Sequence, residues 1–131
     1  MDMINLGFDS ITIEELESLS AEGQDALTFG VVGFDKETIV DVYNAIESQM
    51  SGLDPAHVIG APFFEATAQC MNNFMVAQRL DDALQQGVAL DDIVDFVLTW
   101  RMRPTHVKLR LVATPGMRLR YVLVERRVAT V

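Results

Sequence analysis

Apolar residues recur along this chain with two different periods, and the points where the period changes divide it into elements. From residue 11 to 20 the pattern is sparse, with Ile13, Leu16 and Leu19 forming one narrow stripe among acidic and polar neighbours. That spacing predicts a short helix lying on another surface. Its start is well specified: Thr12 with Glu15 three residues on fits a capping box, and Ile11 with Leu16 fits a hydrophobic staple. Residues 26–35 (ALTFGVVGFD) and 38–44 (TIVDVYN) are dense in β-branched and aromatic side chains. They predict two strands joined tightly at Asp35-Lys36-Glu37.

The middle of the chain is broken into short turns. Asn44 can cap the helical turns of AIESQM, and Asp54-Pro55 starts another, with Gly52 and Gly60 as punctuation. The strongest helical period runs from Asn73 to Gln86, with Asn73 as cap, Phe74, Ala77, Leu80 and Leu84 as the buried face, and Gly87 as the stop. Strands are then predicted at about 92–102, 105–114 and 118–128. The last two alternate apolar with basic residues, which predicts one buried and one wet face. Pro115-Gly116 supplies the turn between them. This order predicts an α+β layer, an antiparallel sheet of about five strands closed by the helical middle segment.

Composition narrows the class. With 131 residues, half of them hydrophobic, a single domain with an ample core is expected. The net charge of −9 is unevenly spread: residues 1–54 carry twelve acids against Lys36 alone, and residues 101–131 carry eight Lys/Arg against Glu125. A basic end could meet nucleic acid, but the overall negative field opposes it. The expectation is instead that the acidic amino-terminal part packs on a sheet with a basic face. No apolar run approaches the ~20 residues of a membrane helix. The start MDMINLGFDS lacks the features of a signal peptide, so a cytoplasmic protein without membrane or nucleic-acid contact is expected. One cysteine precludes an internal disulfide, and with His57 and His106 it gives no metal-ligand spacing.

Chemically capable groups concentrate between Tyr43 and Cys70. Each has a plain alternative. A lone cysteine is usually an inert core residue, though it could serve as a nucleophile with His57 or His106. A tyrosine at a strand end is usually core with its hydroxyl tied to backbone. Glu47, three residues after Asn44, also fits a capping-box variant.

The β-β-helices-β-β-β order is similar to that of PAS domains, and several segments resemble the photoactive yellow protein family within them. These are Phe29-Gly30, YNA with Glu47, DPxxVIGxxFF from Asp54 to Phe64, AxC at Ala68 to Cys70, and MxPTxVK from Met102 to Lys108. The resemblance implies a PAS core of residues 26–131 under an amino-terminal cap of residues 1–25. It implies a blue-light photoreceptor rather than an enzyme, with 4-hydroxycinnamic acid (p-coumaric acid) held on Cys70 as a thioester. Tyr43 and Glu47 would hydrogen-bond its phenolate, Ser51 would support the tyrosine, and Glu47 would be the proton donor of the photocycle. Val32, Phe63, Ala68, Leu98, Trp100 and Met102 fall at family pocket positions. Leu53, Gln69 and Trp100 stand where well-known members carry arginine, proline and tyrosine, which implies altered colour and recovery. A monomer or weak dimer signalling to a downstream protein is the expected form. The rival from another class is a pigment-free PAS module that binds another ligand or a protein partner.

Overall fold

The computed structural model describes residues 6–99 and 104–126. Trp100 and Met102 lie outside the described residues. Two short helices open the chain, α1 (Ile13–Ser18) and α2 (Ala21–Asp25), followed by β1 (Gly30–Phe34) and β2 (Val40–Tyr43). Then come α3 (Ala45–Ser51), α4 (Pro55–Val58), a π-helical turn at Phe63–Thr67 and a 3-10 turn at Gln69–Met71. Helix α5 (Ala77–Gln86) leads into β3 (Leu90–Leu98), β4 (Thr105–Ala113) and β5 (Arg120–Arg126).

The local chemistry that specifies these elements is visible at their ends. Thr12 and Glu15 close the capping box of α1 in both directions, and Ile11 and Leu16 are both fully buried beside it. Asp54 caps α4 with Pro55 in its first turn. Pro115-Gly116 makes a tight turn closed by Met117 N–H donating to the Thr114 carbonyl at 3.1 Å. Gly116 takes φ +87 there, a backbone conformation that glycine adopts without strain.

All strand pairs are antiparallel, in the order β2-β1-β5-β4-β3. β2 and β3 are therefore opposite edges. The connection between them must cross four strand spacings, roughly 19 Å at ~4.8 Å each. That crossing is what spreads α3, α4, the two turns and α5 over one face, and it carries Cys70 past the middle of the sheet. This is the PAS architecture with an open sheet.

Two buried clusters flank the sheet. Val32, Phe34, Leu109, Leu111, Val122 and Val124 point to the helical side. There Phe34, Phe63 and Phe64 pack ring against ring with centroids 5.0 to 5.5 Å apart. Each such ring contributes ~1.5–3 kcal/mol by its burial. Val31, Val112, Tyr121 and Leu123 point the other way, under Phe8, Ile11, Ile13 and Leu16.

The expected wet face of β4 and β5 is thus corrected. The amino-terminal segment covers the side that carries Arg110, while Arg120 is buried on the helical side, where it donates to the Leu80 and Asp35 carbonyls; each is 5 % exposed. Arg110 survives burial because it forks onto Asp91 at 2.8 and 2.9 Å and donates to the carbonyls of Phe8 and Ile11. The long helix is corrected too. It begins at Ala77, because Asn73 Oδ1 accepts from the Met75 and Val76 N–H groups and caps a preceding turn instead. Phe74 sits in that turn and is 78 % exposed. The buried stripe is Val76, Leu80 and Ala83, which leaves Leu84 on the rim.

Candidate functional site

Tyr43 ends β2 and Asn44 caps α3, so the phenol and Glu47 are one helical turn apart across an element boundary. Asn44 fixes that boundary. Its Oδ1 accepts from the N–H groups of Glu47 and Val31, and its Nδ2 donates to the carbonyls of Gln24 and Phe29. The cap therefore welds α3 to β1 and to the end of α2. Tyr43 Oη lies 2.9 Å from Ser51 Oγ, both buried. The phenol is tied to a side chain rather than to backbone.

Glu47 is 2 % exposed and does not turn back to close a capping box. Its carboxylate instead accepts a fork from Arg126, Nη1 to Oε1 at 2.7 Å and Nη2 to Oε2 at 3.0 Å. Both side chains are nearly sealed, 9 % and 3 % exposed. Burial pushes the Glu47 carboxyl above the ordinary carboxylate range, while Arg126 pulls it back. Burial and the nearby Glu47 push the Tyr43 phenol up to about 12, opposed by Ser51 and Arg126.

Gly30 makes the Glu47 position possible. A Cβ there would sit 2.1 Å from Glu47 Oε1, so no other residue fits without moving the carboxylate. Neither Arg126 nor this demand on Gly30 emerges from the sequence pattern. The signal for Arg126 is parity: it shares its side of β5 with Val122 and Val124, which face the helical cluster.

Val32, Phe63, Ala68 and Leu98 are each at most 1 % exposed and belong to the same cluster as Tyr43. Cys70 is a free thiol, half-buried, and with Leu53 it packs against that cluster. The 3-10 turn Gln69–Met71 buries Met71 and leaves Cys70 at the boundary between core and surface. Outward, the cysteine lines two clefts of about 640 and 470 Å³, and neither is lined by Tyr43, Glu47 or Ser51. His106 shares the larger cleft. No hydrogen bond joins the two among the described residues, and His57 lies apart on α4. The structure thus brings Tyr43, Glu47 and Ser51 together and sets Cys70 against the apolar residues that adjoin Tyr43.

Among the described residues no helix is long and apolar enough to cross a membrane. No family model matches the chain. The structure is similar to the PAS domain of BvgS from Bordetella pertussis, with a TM-score of 0.58 at 18% identity over 89% of this chain and 88% of that one, which shows the fold alone. It is much more similar to the photoactive yellow protein domain of the sensor histidine kinase Ppr from Rhodospirillum centenum. There the TM-score is 0.80 at 29% identity, covering 86% of this chain and 98% of that one. In sequence it is 32% identical over 114 residues to photoactive yellow protein of Halochromatium salexigens, covering 85% of this chain and 87% of that relative. The corresponding protein of Rhodothalassium salexigens is 31% identical over 111 residues, at 85% and 87% coverage. With this fold, and with this identity along most of its length, the chain belongs to the photoactive yellow protein family of PAS photoreceptors.

Proposed function

We propose that this chain is a blue-light photoreceptor in which Cys70 carries a 4-hydroxycinnamoyl group as a thioester. What supports this reading most is the half-buried Cys70 thiol packed on the same apolar cluster as Tyr43, with Glu47 and Ser51 buried beside that phenol. The donor set suits the group: a free thiol for the acyl end, apolar Val32, Phe63, Ala68 and Leu98 for the ring, and Tyr43 and Glu47 for the phenolic oxygen. When bound, the group supplies visible absorption and a double bond that light turns from trans to cis.

The chain's own residues supply the rest. Tyr43, with its phenol held up near 12, keeps its proton at physiological pH and can donate from Oη. Burial draws the Glu47 carboxyl toward the neutral acid and the Arg126 fork draws it toward the carboxylate. On this reading the fork opens when the pigment is bound, and Glu47 then holds a proton that it releases during the cycle. A carboxylate left in that low-dielectric site is unfavourable, and local opening relieves it. The part that opens is the cap of residues 1–25, whose described part rests on the sheet through Phe8, Ile11, Ile13 and Leu16 and a few polar ties. The newly exposed surface is what a downstream signalling protein reads. On this reading the chain works in the cytoplasm, as a monomer or weak dimer, and turns over no substrate.

Incubation with an activated ester of 4-hydroxycinnamic acid tests this directly. The expected result is a matching mass gain and a visible band, both lost in Cys70→Ala. No adduct on the native chain overturns the proposal and leaves a pigment-free PAS module.

A further inference from the structure

Arg126 is the last residue of β5, and Glu47 lies in the middle of α3, 79 positions earlier in the chain. Among the described residues their fork is the one close charged contact of the Glu47 carboxylate, and it is buried on both sides. We propose that Arg126 is a positioning residue that receives Glu47 as a carboxylate, and so decides whether this carboxyl accepts or donates a hydrogen bond. With the guanidinium on it, both oxygens are acceptors and no proton is present to give. With the guanidinium withdrawn, burial favours the neutral acid, which can donate.

Among the described residues the surroundings leave this decision to one. The charged and titratable groups bearing on Glu47 are Arg126 from β5 and the Tyr43 phenol from β2. β1 presents Gly30, with no side chain. α2 presents Asp25, whose carboxylate accepts from the Ala45 N–H at the exposed start of α3. Ser51 from α3 is engaged with Tyr43. Arg126 therefore competes with a proton for Glu47.

This deepens the photoreceptor reading, in which Glu47 must give up a proton, but the test does not need the pigment. Infrared spectra of the unloaded protein across pH report the protonated carboxyl of Glu47, assigned as the band missing in Glu47→Gln. In Arg126→Gln that band should persist to a proton concentration at least tenfold lower than in the native chain. Arg126→Lys, which keeps the charge without the planar fork, should fall between and serves if the glutamine variant is unfolded. Equal midpoints in the native chain and the lysine and glutamine variants would overturn the proposal. The mass gain at Cys70 is scored separately, so a failure to take up pigment counts against the photoreceptor and leaves the infrared result decisive for Arg126.

Discussion

Among the described residues two arginines with nearly sealed side chains are held by carboxylate forks, one on each side of the sheet, and they are built for opposite purposes. Under the amino-terminal cap, Arg110 meets Asp91, whose side chain is 55 % exposed. Its other donors reach the Phe8 and Ile11 carbonyls. On the helical side, Arg126 meets a Glu47 that is sealed to 3 %. Arg110 holds Asp91 below its ordinary range, whereas burial lifts Glu47 above its own. The first pair has a carboxylate in water that stays ionised, so it is a fastener. The second has a carboxyl whose charge is poorly tolerated, so its state can be changed. A charge that is to move must be placed where it is uncomfortable.

Breaking each pair should expose that difference. The largest effect is expected from Arg126→Ala, which strands Glu47 without a counter-charge. Denaturant unfolding at neutral pH should show a loss of about 3–5 kcal/mol. That loss should shrink in acid as Glu47 takes a proton instead. An equal loss at both pH values would place the role of Arg126 in packing rather than charge.

Next in size is Gly30→Ala. Its methyl would occupy the space of Glu47 Oε1. We expect ~1–3 kcal/mol of destabilisation from overpacking, with Glu47 pushed off Arg126. A variant as stable as the native chain would mean that α3 can shift away from β1 freely.

On the cap side the effects are smaller. Thr12→Ala removes a capping-box bond at the start of α1 and should cost ~1 kcal/mol, concentrated in faster amide exchange across residues 11–18. Exchange accelerated over the whole chain would show the cap to be no separate unit. Asp91→Asn should cost less than ~1 kcal/mol, since this carboxylate is half in water and Arg110 keeps its backbone bonds.

Acid titration separates the forks by sign. Asp91 lies below its ordinary value, so the stability it contributes is present above that value and is lost as pH falls through its folded one. Glu47 lies above its ordinary value of 4.5, so the contribution of its protonated form is complete below that pH. It is lost as pH rises through the folded value. Arg126→Ala should widen the second window and leave the first in place. A shift of the Asp91 window in this variant would show the two forks to be coupled.

Much of this molecule could be read along the chain because the deciding interactions are local. The capping box at Thr12, the staple of Ile11 and Leu16, the caps at Asn44 and Asp54, and the Pro115-Gly116 turn each involve neighbours within five residues. Alternation along β4 and β5 located the strands and the core-facing residues. The same alternation misled about the opposite face, since nothing in a strand's own sequence says whether a distant segment will cover it. Phe74 shows a related limit: a helical period extended four residues too far, because Asn73 caps a turn as readily as a helix.

What the sequence determined by itself is therefore the order of the strands and of the helices other than α2, the core-facing side of β4 and β5, and the residues able to do chemistry. Family resemblance drew Tyr43, Glu47 and Cys70 into one reading. Tertiary structure alone decided that Arg126 and Glu47 pair, that Gly30 must stay bare beside them, and that Arg110 fastens a cap. These contacts join residues separated by 17 to 102 positions. Their energies depend on burial, and burial is a property of the assembled layers rather than of any stretch of chain.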